Sequence, residues 1–474
     1  MIRRPLSLLV ALFVVAQATA SPISNPATRL VATALIMGGT GQPMVIPHDT
    51  SEFISSVVDE VTNRFVIPSG LCTGGSAGCN PIAVFTPEEL APLLGDLHFG
   101  QSVAVGRQLL DDCIRGAACA ATVPPFTVTT AHFLADTSYV VLGESQSAVI
   151  SSDEKSHLIA RPVPGKTISF ILLSNEKRPN GGVLARFVGA YLSILDIEFN
   201  GAAPTNSSPS APLTTVDIAY QYDGWADFPL NPLNLLADFN ALMGMIFLHP
   251  AMHRFVGVRE LQGQYQDTSY YLQPADLLPM LIPVRQIPVV GPAVAVALDA
   301  PLRVLVEAGY DRTINPGEPT PANFSYAPNP INTLANFVVA IPTGWDDAIS
   351  YVTGDSAGRP FHTAPQPIYG VGGSSVYRGA VDPYGPPTPA TPITSVSSAV
   401  TGVNTAASSR QGQVRRIVGS KPYPISANAG QVRYLPALNE KSLSSPASVE
   451  RPLKSVARPA RQSDQCPNPP RTAR

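Results

Sequence analysis

Gly143-Glu144-Ser145-Gln146-Ser147, entered from the apolar run Tyr139-Val140-Val141-Leu142 and left through Ala148-Val149-Ile150, is the stretch whose reading decides the fold. The apolar run reads as a buried strand, and the residues from Ala148 onward can start a helix. A serine between small residues at the turn from a buried strand into a helix has the layout of a nucleophile elbow, where a strained turn lifts the hydroxyl clear of the sheet. Gly143, two before the serine, lets strand and helix approach closely. Ser147 stands where the common pattern has glycine, which keeps a small side chain but weakens the pattern. An ordinary strand-to-loop turn fits the same five residues, so the rest of the chain has to supply a base, an orienting acid and oxyanion donors.

With 45% hydrophobic and 14% charged residues over 474 positions, the chain can bury a large core in one to three domains. Its 49 prolines are densest late in the chain, which points to a globular front and a loose rear. Met1-Ile2-Arg3-Arg4, the apolar run from Leu8 to Val15, and Ala18-Thr19-Ala20 before Ser21 have the three-part form of a secretory signal peptide over residues 1–20. An uncleaved N-terminal anchor is the alternative, although the run is short for a membrane span. The expected location is therefore secreted or cell-envelope associated. Cys72 with Cys79 and Cys113 with Cys119 can each close a short loop in an oxidising compartment, leaving Cys466 over. No C-x-x-C pair or His/Cys cluster occurs, so no metal and no cofactor are expected.

Arg29 to Met37 reads as a first buried strand ending at Gly38-Gly39-Thr40-Gly41-Gln42-Pro43, a turn whose backbone N–H groups are free to point into a cleft. Asp49-Thr50-Ser51 can cap a helix with Phe53, Ile54, Val57, Val58, Val61 and Phe65 at helical spacing, and Ser102 to Ile114 reads as a second helix. Beyond the elbow come a buried strand over residues 168–173, an edge strand over residues 194–199 and a strand from Thr215 to Tyr222. This rhythm predicts an α/β fold, a mostly parallel sheet flanked by helices.

In α/β-hydrolases the acid lies at the carboxyl end of a late strand and the histidine follows it in the chain. Tyr222-Asp223-Gly224-Trp225-Ala226-Asp227-Phe228-Pro229 offers two acids, and Asp227, in the loop past the strand end, is preferred over Asp223, which abuts the strand. A helix from Asn231 to Phe247 then leads to His249 and His253. His249, in a loop before a proline, is the expected base, with His253 second. The predicted site is Ser145 as nucleophile, His249 as base, Asp227 as orienting acid, and the N–H groups of Gln146 and Thr40 as oxyanion donors. That is the chemistry of acyl transfer through an acyl-enzyme.

Together with Arg178-Pro179-Asn180-Gly181-Gly182, Asn234-Leu235-Leu236-Ala237-Asp238 and Leu302 to Tyr310, these segments resemble the PE-PPE domain of mycobacteria and related actinomycetes, from Ala32 to Arg312. The resemblance implies a serine α/β-hydrolase fold similar to cutinases, with esterase or lipase activity on acyl esters. For members with an export signal and no PE or PPE module it implies acyltransferases that build envelope glycolipids. Carried over, the triad falls on Ser145, Asp227 and His249. This chain departs from the pattern in Glu144, where an aromatic or aliphatic residue is expected, and in its long tail.

Residues 277–306 are very apolar but are broken by prolines and Arg285, which argues against a membrane span. They read as a lid or wall over an acyl-binding groove, as a surface touching lipid, or as core helices. One more helix is expected over residues 331–352. From Gly354 the chain turns to Pro, Ser, Gly and Thr without apolar periodicity and reads as disordered. From Thr401 onward it carries 12 Lys and Arg against 3 Asp and Glu, although the whole chain has a net charge of −3. Such a tail can contact an anionic lipid or envelope surface, or be a solvated linker. Nucleic acid is not expected as a partner of an exported, acidic domain without a binding motif. The expected organisation is a signal peptide at 1–20, a catalytic domain at 21–315, its extension at 316–353 and a tail at 354–474. The expected function is an exported serine esterase or lipase. The alternatives are an acyltransferase of the same chemistry and a non-catalytic envelope-binding protein that keeps the fold.

Overall fold

The computed structural model describes residues 32–72, 79–132, 136–254 and 259–371. The signal-peptide segment, Cys466 and the chain beyond residue 371 lie outside the described residues. In chain order the elements are β1 (Ala32–Ile36), α1 (Ser51–Val61), β2 (Cys79–Val84), α2 (Phe99–Arg115), β3 (Cys119–Val123), β4 (Thr127–Ala131), β5 (Ser138–Glu144) and α3 (Gln146–Ala160). There follow β6 (Thr167–Leu173), the short α4 (Val183–Arg186), β7 (Tyr191–Leu192), β8 (Ile197–Glu198), β9 (Thr215–Tyr220) and α5 (Leu235–Phe247). The described chain is completed by β10 (Glu260–Tyr265), β11 (Thr268–Gln273), the short α6 (Ile282–Arg285), α7 (Gly291–Glu307) and α8 (Pro330–Thr353).

A nine-stranded sheet runs in the order β10-β11-β9-β6-β5-β1-β2-β3-β4. The pairings from β2 across to β11 are parallel, and antiparallel pairs sit at the two edges. Central strands of such a sheet are covered on both faces, which is why β5 is an unbroken apolar run. Alternate residues serve opposite layers. Tyr139 and Val141 pack with Val103 and Leu110 of α2 and Val149 and Ile150 of α3, whereas Val140 and Leu142 pack with Ile54, Val57 and Val61 of α1. Thr50 caps α1 by accepting from the Phe53 N–H at 3.2 Å. The chain runs outward from β1 in both directions, to β2 on one side and to β5, β6 and β9 on the other. That reversal opens a crevice at the carboxyl ends of β1 and β5, where α/β sheets bind their ligands.

Both expected disulfides form. Cys72–Cys79 closes the loop into β2, and Cys113–Cys119 ties the last turn of α2 to β3. Residues 194–199 are not an edge strand of the main sheet. Asp196 takes a left-handed conformation (φ 54°), which turns the chain and leaves β7 and β8 as a small separate antiparallel pair. The outer strands β2, β3, β10 and β11 were not legible in the sequence, because short strands such as Glu260-Leu-Gln-Gly-Gln-Tyr265 lack a continuous apolar run.

The apolar region after residue 277 folds as a turn at Pro279–Leu281, then α6 and α7, with Pro301 accommodated inside α7. Leu277, Leu278, Leu281, Ile282 and Val306 form a core cluster with Tyr220, Tyr222 and Leu248, so this region is a wall at the carboxyl end of β9. No described helix is long and apolar enough to cross a membrane. Packing also continues past the composition change at Gly354. Tyr369 is 2% exposed, and the Ile368 carbonyl accepts from Gln221 Nε2 and Arg303 Nη1, each at 2.9 Å. A backbone carbonyl makes this contact, and composition cannot report it.

Candidate active site

Ser145 sits between β5 and α3 with φ 57° and ψ −123°, a conformation that non-glycine residues rarely adopt. The turn is enforced locally. Ser147 Oγ accepts from the Glu144 N–H at 2.7 Å and lies 3.0 Å from the Glu144 carbonyl, so its hydroxyl can close the elbow in both directions. A Cβ on Gly143 would meet the Ser147 carbonyl oxygen at 2.3 Å, which is why glycine stands two before the serine. The Ser145 N–H is held by the Leu173 carbonyl of β6 at 3.0 Å.

His249 follows α5, and its Nε2 lies 2.8 Å from Ser145 Oγ. Its Nδ1 lies 2.8 Å from Asp223 Oδ2. An ionised carboxylate only accepts, so Nδ1 carries the proton and Nε2 presents its lone pair to the serine hydroxyl. Close helix packing sets this position. A Cβ on Gly244 of α5 would lie 1.8 Å from the Tyr222 carbonyl oxygen, so α5 rests directly on the turn that carries Asp223. Tyr222 itself is left-handed (φ 69°), reversing the chain at the end of β9 and aiming Asp223 into the crevice.

Asp227, the expected acid, is elsewhere. Its oxygens pair with both terminal nitrogens of Arg312 at 2.5 and 3.0 Å, and Oδ2 also accepts from the Tyr222 N–H at 2.9 Å. Arg312 is a buried cation, and Asp227 together with Glu307 neutralises it. Asp227 therefore clamps the turn, and Asp223, fully buried, is the acid that reaches the histidine. His253, the second candidate base, donates from Nδ1 to Glu144 Oε1 at 3.2 Å and accepts from Arg254 on Nε2.

Thr40 and Gln146 come together on the other side of the serine, where Thr40 Oγ1 donates to Gln146 Oε1 at 2.9 Å. Gln146 Nε2 in turn donates to the Glu89 carbonyl at 3.1 Å and to Ser102 Oγ at 2.9 Å, locking the β1 turn to α2. Gln146 is the first residue of α3, so its N–H has no carbonyl one turn back and belongs to the positive end of the helix dipole. A Cβ on Gly39 would come within 3.3 Å of Ser145 Cβ, which places the glycine-rich turn directly over the elbow.

Sequence reasoning also missed Glu176, which follows β6 and lies with Oε1 3.3 Å from Ser145 Oγ. Burial pushes its carboxyl up to about 7, against the opposing pull of His249. Glu88 is likewise raised well above the usual carboxylate range by burial, with Glu176 and Glu144 adding to the rise. Burial alone would lower the His249 imidazole, but Asp223 first, then Glu176 and Glu144, raise it above the ordinary 6.5. No signal in the sequence marks Glu176, because the pairing of β6 with β5 brings it to Ser145; its neighbours Lys177 and Arg178 pair with Asp153 and Asp217.

Residues 77–311 match the family described as the PE-PPE domain. Among curated proteins of Mycobacterium tuberculosis, the chain is 36% identical over 311 residues to PE family protein PE3, covering 63% of this chain and 59% of the relative. It is 35% identical over 303 residues to Esterase PE16, covering 61% and 51%. It is 27% identical over 191 residues to Diacyltrehalose acyltransferase Chp2, covering 37% and 51%. The matches thus span between about half and three-fifths of these relatives. No solved structure matches the chain.

Proposed function

This chain belongs to the PE-PPE domain family through residues 77–311, and from that membership and the geometry around Ser145 we propose that it is a serine-dependent hydrolase of acyl esters. One observation carries the reading: His249 stands between Ser145 Oγ and Asp223 Oδ2, 2.8 Å from each. Ser145 attacks the ester carbonyl while His249 Nε2 takes its proton, and Asp223 holds the imidazole in the required tautomer. The N–H groups of Gln146 and Thr40 hold the oxyanion. His249 then returns the proton to the departing alcohol. Water, entering on the same path, releases the acid from the acyl-enzyme.

The apolar surface near the site supports an acyl or lipid substrate. α5 buries the small Ala237, Ala241 and Gly244 and exposes Leu235, Phe239, Leu242 and Ile246, the reverse of an ordinary amphipathic helix. Val289 and Val290, before α7, are exposed as well. Such a patch suits contact with lipid.

A second reading, acyl transfer to an alcohol in place of water, is supported by the likeness to the acyltransferase Chp2 and by the burial of Ser145, which is 8% exposed. Two disulfides suit an oxidising, extracellular compartment. The basic tail, outside the described residues, is proposed to hold the enzyme at anionic envelope surfaces.

Labelling with a fluorophosphonate, comparing the parent with Ser145→Ala, tests the reading. Labelling that depends on Ser145 is expected. A folded parent that does not label would instead favour a non-catalytic envelope-binding protein. Turnover of a short-chain aryl ester, with and without a sugar alcohol, then separates hydrolysis from transfer by the product formed.

A further inference from the structure

Two groups compete for one proton at Ser145. The hydroxyl has a single hydrogen, and it faces two acceptors: His249 Nε2 at 2.8 Å and Glu176 Oε1 at 3.3 Å. Only transfer to His249 makes the serine a nucleophile with a base behind it. Glu176 is 4% exposed, and its second oxygen, Oε2, has no hydrogen-bond partner in the structure. A buried carboxylate in that position would be poorly stabilised, whereas a buried carboxylic acid would not.

We propose that Glu176 is a further catalytic residue, a carboxyl that must carry its own proton for Ser145 to be active. In that form its O–H donates to a lone pair of Ser145 Oγ, and the serine hydrogen is left pointing at His249. When Glu176 is ionised it can only accept. It then draws the serine hydrogen away from the imidazole and places a second negative charge beside it, favouring imidazolium, which cannot act as a base.

The surroundings of Glu176 fit this role. His249 reaches it from the turn after α5, Asp223 from the turn after β9, and Glu88 from the loop before α2. On its own segment, Lys177 and Arg178 are engaged by Asp153 and Asp217. Among the charged groups named here only a protonated His249 offsets an ionised Glu176, and that pairing takes the base away from Ser145, while Asp223 and Glu88 oppose the charge. The raised carboxyl of Glu176, at about 7, agrees with the geometry. Glu176 and His249 titrate as a pair, and the active form holds one proton on the carboxyl and none on Nε2.

The inference rests on the serine-hydrolase reading, and the experiment separates the two. The rate of fluorophosphonate labelling is measured from about pH 5 to about pH 10 for the parent, Ser145→Ala and Glu176→Gln. The parent is expected to give a bell, falling about tenfold per pH unit on its alkaline side. Glu176→Gln, whose amide donates to Ser145 Oγ at every pH, is expected to lose the alkaline fall and to shift the acid limb downward. A purely structural Glu176 would leave the shape of the profile unchanged. A parent profile flat from neutral to about pH 9 overturns the proposal without any variant. So does an alkaline limb retained in Glu176→Gln. A parent that does not label at any pH ends the serine-hydrolase reading itself, and this proposal with it.

Discussion

Asp223 Oδ2 accepts from His249 Nδ1 at 2.8 Å, in a contact where the carboxylate is fully buried and the two residues lie 26 positions apart. The bond selects the tautomer that leaves Nε2 free for the serine. Asp223→Asn presents a group that can donate to Nδ1, so the imidazole can bind it in the wrong tautomer. The ester turnover number is expected to fall by roughly 10³–10⁴ with the fold retained, as measured by steady-state kinetics beside circular dichroism.

Asp227 acts on stability instead. Asp227→Asn leaves Arg312 with Glu307 as its remaining buried carboxylate, so the cost is that of weakened charge-assisted hydrogen bonds, about 1.5–3 kcal/mol, below that of an uncompensated buried cation. Denaturant unfolding is expected to report that loss, while protein that remains folded still labels at Ser145. A fall in activity equal to that of Asp223→Asn, with stability intact, would reverse the two assignments.

The contact between α5 and the β9 turn gives a third expectation. Gly244→Ala puts a Cβ 1.8 Å from the Tyr222 carbonyl oxygen, so α5 must move and carry His249 with it. Stability is expected to fall by about 1–3 kcal/mol. The labelling rate is expected to fall by about 10², because a displacement of that order spoils the alignment of base and nucleophile.

The His249 imidazole is raised above 6.5. A histidine held above its unfolded value adds stability below that value and loses this contribution as pH rises through the folded one. Catalysis needs the neutral ring, so on the acid limb, before Glu176 ionises, activity rises as that stability is lost. NMR titration of the ring should place its midpoint above 6.5, and lower in Asp223→Asn, since Asp223 is the largest of the raising influences. A midpoint at or below 6.5 in the parent would contradict the arrangement.

Local chemistry made much of this legible before any folding. The run Tyr139 to Leu142, the glycine at 143 and the serine at 145 announce a buried strand turning sharply into a helix, because those properties depend on neighbours within a few residues. The same holds for the Thr50 cap, the short cysteine loops and the glycine-rich turn after β1. The order of serine, acid and histidine along the chain was legible too; it left three histidines, His249, His253 and His362, and the loose composition around His362 reduced the choice of base to two.

Which carboxylate serves His249 was decided only in three dimensions. Asp223 and Asp227 are four residues apart and chemically identical, and what separates them is the left-handed turn at Tyr222 and the guanidinium of Arg312, 85 positions beyond Asp227. The carboxyl of Glu176 reaches Ser145 because β6 pairs with β5, and Tyr369 is buried because Arg303 and Gln221 capture a backbone carbonyl beside it. A sequence specifies its turns and strands through short-range sterics and apolar periodicity. The partner of a buried charge depends on what the folded chain brings within hydrogen-bond distance.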